Sequence, residues 1–380
     1  MQSNLIPALD PNPLPGPYWV FKLLLLLTFW LHLLAMNCLL GGGVLALIAK
    51  WRLPDQEFRN RLFLDLTGKL PLLMAATISL GVAPLLFVQV LYGQFFYTSS
   101  IIMAGPWILV LALVLAAYYG LYCVSSGRKQ QAGRGAPMLL LSVVLIAGAA
   151  FLYSNNLTLS QVPARWGAKY FADPAGWNLN LSEPTLAPRF LHFFTAAIAV
   201  GGLFITFMAV ARWKTDRDYA CSVLRFGGRS FMYATMAQFV IGFWFLVSLP
   251  REKIRLFRGG NPLATVLLVV GLAGATAAIL VVARSLRRER ASRAAYIGSG
   301  IATGVVGVMV LMRDILRDAY LQPYFHAGQF AIRTQWSVFL LFLAIFVLGL
   351  GLWFVMLVRY GFFATAAATP PADSRAGQAL

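Results

Sequence analysis

Residues 70–127, LPLLMAATISLGVAPLLFVQVLYGQFFYTSSIIMAGPWILVLALVLAAYYGLYCVSSG, contain no Asp, Glu, Lys, Arg or His. An α-helix rises about 1.5 Å per residue and a hydrocarbon layer is roughly 30 Å thick, so this stretch is long enough to cross a bilayer twice. Gly93, Gln94 and the Thr98-Ser99-Ser100 cluster are the expected turn between the crossings. The same pattern extends over most of the 380 residues, 59% of which are hydrophobic and 12% charged, with a mean hydropathy of +0.73. Soluble domains are about 45–50% apolar and about 25% charged. The composition therefore excludes a soluble globular enzyme, a disordered chain and a coiled coil.

Nine membrane spans are expected, at 20–49, 70–97, 101–125, 137–155, 187–211, 231–250, 263–283, 294–312 and 335–358. The fold class is an all-α polytopic membrane protein, with two four-helix units (20–155 and 187–312) and a ninth helix (335–358). Around them lie an N-terminal segment (1–19), loops at 156–186 and 313–334, and a tail (359–380). Of the 31 Lys and Arg, 20 fall in the tail and the loops after spans one, three, five and seven, and 11 on the other side. The positive-inside rule then puts the N-terminus outside and the C-terminus inside a bacterial inner membrane. The run at 251–258, REKIRLFR, opposes that bias and reads first as a solvated charge run, with a patch facing an acidic partner or lipid headgroups as the alternative. The net charge of +18 is thus assigned to membrane-flanking anchors in contact with lipid, with no nucleic-acid partner. Cys38, Cys123 and Cys221 form no CxxC pair, so neither a CxxCH haem attachment nor a zinc site is expected. The first apolar stretch is too long for a cleavable signal peptide and lacks its basic leader.

The chemistry is concentrated in few residues. There are three histidines, and two of them, His32 and His192, fall within spans, where ionisable side chains are costly and mark function. Their surroundings match: Leu31-His32-Leu33 precedes Gly41-Gly42, and Leu191-His192-Phe193 precedes Gly201-Gly202 at the same offsets. A single buried imidazole is most simply a packed, hydrogen-bonded group. Two in matched repeats point to axial ligation of haem iron. Ala35 and Gly43 after His32, and Ala196 and Ala199 after His192, leave room for a flat macrocycle or for helix contact. Arg189, Arg313 and Arg317 are the cations placed to meet haem propionates. Met36, Met309 and Met312 are candidate sixth ligands, although methionine in an apolar helix is ordinarily filler. His326, in the loop after span eight, is either an exposed loop residue or a further iron ligand. All 13 acidic residues fall in loops, tails or span ends, with Asp314 alone approaching an apolar segment, so no intramembrane carboxylate relay is expected.

With those residues in place, the chain resembles the large subunit (subunit I) of the cytochrome bd-type quinol oxidases. In that family a span-one and a span-five histidine each ligate a haem and are followed by glycine nine residues later, as His32 is by Gly41 and His192 by Gly201. Gly68-Lys69 before Gly81-Val82-Ala83, Gly105-Pro106 at the start of span three, and an Asn155-Asn156 turn after span four are further likenesses, over about residues 20–285. The departures place Val269 where the family has a span-seven methionine ligand, and Val110 and Tyr118 where it has span-three carboxylates. The long quinol-binding loop is reduced to Arg251–Pro262, and Met312-Arg313-Asp314 stands near the missing acidic haem ligand.

The resemblance implies two haem b groups, possibly a third, with quinol as substrate and a second membrane subunit as partner. The leading expectation is a membrane b-type cytochrome passing electrons between quinol and an outer-face cytochrome or other redox protein. The alternatives are a terminal oxygen-reducing quinol oxidase, with His32 at the oxygen-reactive haem, and a haem-free transporter built from repeats.

Overall fold

The computed structural model describes residues 6–9, 12–126 and 135–356. The expected tail (359–380) and the basic loop at 128–134 lie outside the described residues. Among those described, nine helices are long and apolar enough to cross a membrane. They are α1 (Tyr18–Arg52), α3 (Leu70–Ile102), α4 (Ala104–Ser126), α5 (Gly135–Ser160), α7 (Leu186–Arg212), α8 (Arg217–Ser248), α10 (Pro262–Arg287), α12 (Ser299–Leu321) and α13 (Trp336–Met356). These are spans one to nine in order. Four shorter helices connect them: α2 (Gln56–Thr67), α6 (Trp166–Ala172), α9 (Arg251–Arg255) and α11 (Ala291–Arg293).

The chain divides into two units, Met1–Thr334 and Gln335–Leu380, and the second contains α13. In the first unit α1 packs on α3 and α7, α7 on α8, α4 on α5, and α10 on α12. Small residues set the closest approach. A Cβ on Gly201 would lie 2.6 Å from the Gly41 carbonyl carbon, so α1 and α7 cross backbone to backbone at the paired glycines of the repeat. Gly202 and Gly227 bring α7 and α8 together in the same way.

Three expectations are corrected. The hydroxyls of Thr98, Ser99 and Ser100 do not make a turn; they donate to carbonyls of Gln94 and Phe96 one turn back within α3. That helix ends at Met103, after a local break at Tyr92. Asn155 and Asn156 are likewise helical and fully buried. The Asn155 side-chain Oδ1 accepts from the Asn180 backbone N–H at 3.0 Å, and Asn156 Oδ1 accepts from the Ser99 hydroxyl of α3 at 3.2 Å. Asn155 thus ties down the loop that follows α5, which also carries buried Trp166 donating to Leu159 O at 2.9 Å. Finally, α12 runs to Leu321, so Arg313, Asp314 and Arg317 lie on a helix wall where a loop is expected.

Candidate functional site

Toward the N-terminus of α7 the order is Ala199, Ala196, His192, Arg189, so one helical face presents an imidazole with a guanidinium one turn beyond it. That face closes one wall of a cavity of about 380 Å³ between α7, α8, α10 and α12. Its lining is nearly all apolar, with Phe193, Phe239 and Phe243 beside small Ala196, Gly242 and Gly271. The polar exceptions are His192, Arg189, Arg313, Thr235 and Gln238, and Met309 and Met312 add two thioethers. The His192 ring lies against Gly242 of α8, whose missing Cβ would stand 3.2 Å from Cε1 and 3.5 Å from Nδ1. Nδ1 is buried without a hydrogen-bond partner. The Gln238 amide holds the main chain there, its Nε2 donating to His192 O at 3.3 Å.

Arg189 and Arg313 both line the cavity, and neither forms an ion pair with a carboxylate among the described residues. Arg189 is 6% exposed, stacks on Phe245 at 5.2 Å and has its Nε unpartnered. Arg313 stacks on Phe29 of α1 at 4.3 Å. A buried cation without an anion is expensive, so an apolar cavity lined by buried Arg189 and half-buried Arg313 is suited to a largely apolar ligand that carries acidic groups.

His32 occupies the equivalent position on α1. Its Nδ1 lies 3.0 Å from Thr77 O of α3, and a carbonyl can only accept, so Nδ1 carries the proton and Nε2 keeps its lone pair. The ring lies over Gly81, where a Cβ would be 2.9 Å from both Cε1 and Nδ1. Each half of the repeat therefore sets a histidine on its first helix against a glycine on its second.

The other expected site residues lie elsewhere. Arg317 belongs to an ionic cluster joining α1, α3 and α12. It pairs with buried Asp314 and stacks on Tyr92 at 4.2 Å. Lys22 reaches Asp314 at 3.0 Å and Asp318 at 2.8 Å, and Tyr92 donates to Asp318 at 2.9 Å. The sequence reading placed Asp314 at a span end, and the structure buries it among these partners. The signal for the cluster was the i, i+3, i+4 spacing of Asp314, Arg317 and Asp318, one helix face. His326 is exposed, in a loop whose neighbour Phe325 packs on Tyr92 and Phe95. Met36 is on α1, away from the cavity lining. No cluster of three or more His, Cys, Asp or Glu occurs among the described residues.

Comparison with protein-family models finds no match, and comparison with curated proteins finds none either. Among solved structures, the bd oxidase from Geobacillus thermodenitrificans superposes with a TM-score of 0.70 at 13% identity, over 92% of this chain and 99% of that one. The chain is a multi-pass membrane protein, with nine helices long and apolar enough to span a membrane among the described residues. Its fold is that of a bd oxidase chain.

Proposed function

We propose that this chain is a haem-carrying subunit of a membrane electron-transfer complex related to the cytochrome bd oxidases. It would hold b-type haem at His192 and at His32, and pass electrons between quinol and a redox protein on the outer face. A second membrane subunit would complete the complex, with the N-terminus outside the bacterial inner membrane. The observation that carries the reading is the α7–α12 cavity. It combines an imidazole with two anion-free guanidiniums in an otherwise apolar, four-helix enclosure.

The residues present fit a haem. The buried, unpartnered His192 Nδ1 and Arg189 Nε mark polar groups without satisfaction in the protein alone. The glycine under each histidine ring lets the imidazole lie close against the neighbouring helix, in the space a Cβ would take. Bound haem supplies reversible one-electron chemistry at its iron. The chain's part is to hold the iron through an imidazole nitrogen and to receive the propionates on Arg189 and Arg313, by charge-assisted hydrogen bonds. The phenylalanines exclude water, and burial tunes the potential. At His32 the Thr77 carbonyl fixes the tautomer, leaving Nε2 as the donor. Arg317, already held by Asp314, is left out of the propionate set.

The test is a reduced-minus-oxidised visible spectrum with a pyridine haemochrome count, on the wild type, His32→Ala and His192→Ala, expressed with ample haem. A b-type α-band that falls by about one haem in each variant supports the proposal. A colourless wild type refutes it.

A further inference from the structure

Resting on the haem reading, we propose that the segment 251–260 between α8 and α10 is the docking surface for the redox partner, and that the partner meets it with an acidic face. The run from Arg251 to Arg258 carries four cations, Arg251, Lys253, Arg255 and Arg258, against one acid, Glu252. Lys253 is turned into the protein. Its Nζ donates to Ala319 O of α12 at 2.7 Å and lies 5.3 Å over the Tyr320 ring. The three guanidiniums are exposed, and none of them pairs with a carboxylate among the described residues. On the proposed topology they stand on the outer side, where membrane proteins carry fewer cations.

The packing places this surface at the proposed haem site. On the inward side of the segment, Phe257 packs with Leu249, Ala264 and Leu316, and Ile254 and Leu256 lie against that group. Phe257, Leu249 and Leu316 also line the cavity that holds His192 and Arg189. One short piece of chain therefore shows apolar side chains to the cavity and guanidiniums to the surface. It is also firmly held. Gly259, at φ +100°, makes the bend, and its N–H donates to Thr265 Oγ1 at 2.9 Å. Asn261 Oδ1 then caps α10 by accepting from the Ala264 N–H at 3.0 Å. A charged surface fixed in this way has little backbone freedom to lose when a partner docks.

Charge complementarity names the partner. A fixed group of exposed guanidiniums beside a redox centre steers an acidic protein onto that centre and repels a basic one. Lipid phosphates are attracted by the same charge, but they lie around the rim of a helix bundle. This segment leaves α8, reaches α12 at Ala319 and returns to α10, so it crosses the end of the bundle instead. The reaction served is the transfer of one electron. The haem iron is oxidised, a one-electron centre in the partner is reduced, and no bond forms or breaks.

The experiment uses two probes with one redox centre and opposite charge: a basic c-type cytochrome, and the same protein made acidic by succinylating its lysines. The full chain is placed in phosphatidylcholine nanodiscs. Binding is measured by surface plasmon resonance, and electron transfer from the pre-reduced chain by stopped flow. At low salt the acidic probe should bind tighter and be reduced faster than the basic one by about tenfold or more, an advantage that shrinks as salt is added. Arg251→Gln/Arg255→Gln/Arg258→Gln should remove most of it, and the triple change to Glu should reverse it. Arg287→Glu/Arg288→Glu, an exposed pair at the far end of α10, should match the wild type. Equal treatment of the two probes overturns the proposal, and so does a far-end pair that shifts the preference as much, since that would be the general field of a chain of net charge +18. Loss of the preference in phosphatidylglycerol discs, with less phosphatidylglycerol retained by the Gln variant, would give the patch to lipid and overturn it too. A colourless wild type refutes the parent reading, and the binding arm, which needs no haem in the chain, still decides the surface.

Discussion

The crossing of α1 and α7 gives the sharpest prediction about the fold. Replacing Gly201 by alanine sets a Cβ 2.6 Å from the Gly41 carbonyl carbon and 2.8 Å from its Cα. Replacing Gly41 instead sets its Cβ 1.8 Å from the Ala197 carbonyl oxygen and 2.5 Å from that carbonyl carbon. Carbon atoms at rest stay about 3.5–4.0 Å apart, so either substitution must part the helices by about 1 Å or more, the Gly41 change the further. The neighbour is backbone, so no rotamer change can relieve the clash. A gap of 0.5–1 Å forfeits a quarter to a half of each dispersion contact it opens, and overpacked cores lose typically about 1–3 kcal/mol. The expected cost is therefore about 3 kcal/mol for either variant. Because one separation relieves both clashes, Gly41→Ala/Gly201→Ala should cost much less than the sum of the singles. Gly300→Ala and Gly304→Ala, in α12 with nothing within 4 Å, should be neutral or slightly stabilising. Unfolding in mixed micelles, with the reactivity of buried Cys221 as the probe, measures all five. Singles within 0.5 kcal/mol of wild type, or an additive double, would refute the crossing.

Three shorter predictions follow. Asp314→Ala should cost about 3–5 kcal/mol, because it strips a buried carboxylate from Arg317 and Lys22, and Asp314→Leu with Arg317→Met should recover much of the loss; equal instability of single and double variants in the same unfolding assay would argue against a paired cluster. Gly81→Ala should displace the His32 ring, 2.9 Å from the new Cβ, and weaken its bond to Thr77, whereas Gly242→Ala at 3.2 Å should be milder; haem retention in the two variants should rank accordingly, and the opposite order would count against the geometry. The hydrogen bond from Arg61, 2.5 Å away, holds the Asp216 carboxyl below the usual carboxylate range, with a further contribution from the Tyr219 backbone N–H. A depressed folded-state value means stability present above the unfolded value near 3.9 and lost as pH falls through the folded one, so the gap between wild type and Arg61→Ala should be small, close in acid and shrink with salt. A gap that widened below pH 4 would contradict it.

Hydropathy alone carried the nine spans, because a bilayer leaves few options for uncharged stretches of this length. It could not fix where they end. Ser, Thr and Asn read as turn residues in sequence, yet in an apolar bundle their side chains bond back to the helix or across to a neighbour, as Ser99 and Asn156 do. Charge misled in the same way at span eight. Arg313, Asp314 and Arg317 look like a loop until Lys22 and Tyr92, far off in sequence, provide partners that let the helix continue. The paired histidines and glycines were legible because a repeat preserves offsets along the chain. The placing of Gly81 and Gly242 against the two histidine rings was not, since it depends on the register between helices and no offset records it.

The same repeat also shows where the two halves differ. His32 and His192 begin equivalent helices, but Gly81 lies 49 residues after the first and Gly242 lies 50 after the second. In the first half the carbonyl four residues before the glycine, Thr77 O, accepts the ring proton at 3.0 Å. In the second half the corresponding residue is Gln238, whose side chain binds the His192 carbonyl, while Nδ1 stays unpaired. An imidazole that donates from its second nitrogen is the more basic ligand, and one without that bond donates less charge to a metal. On the proposed function, the His32 haem should therefore be the harder to reduce. If both histidines hold haem as proposed, one residue of slip between the halves would set a direction for electron flow, from the His32 haem to the His192 haem, and a potentiometric titration that found the two in the reverse order would remove its basis.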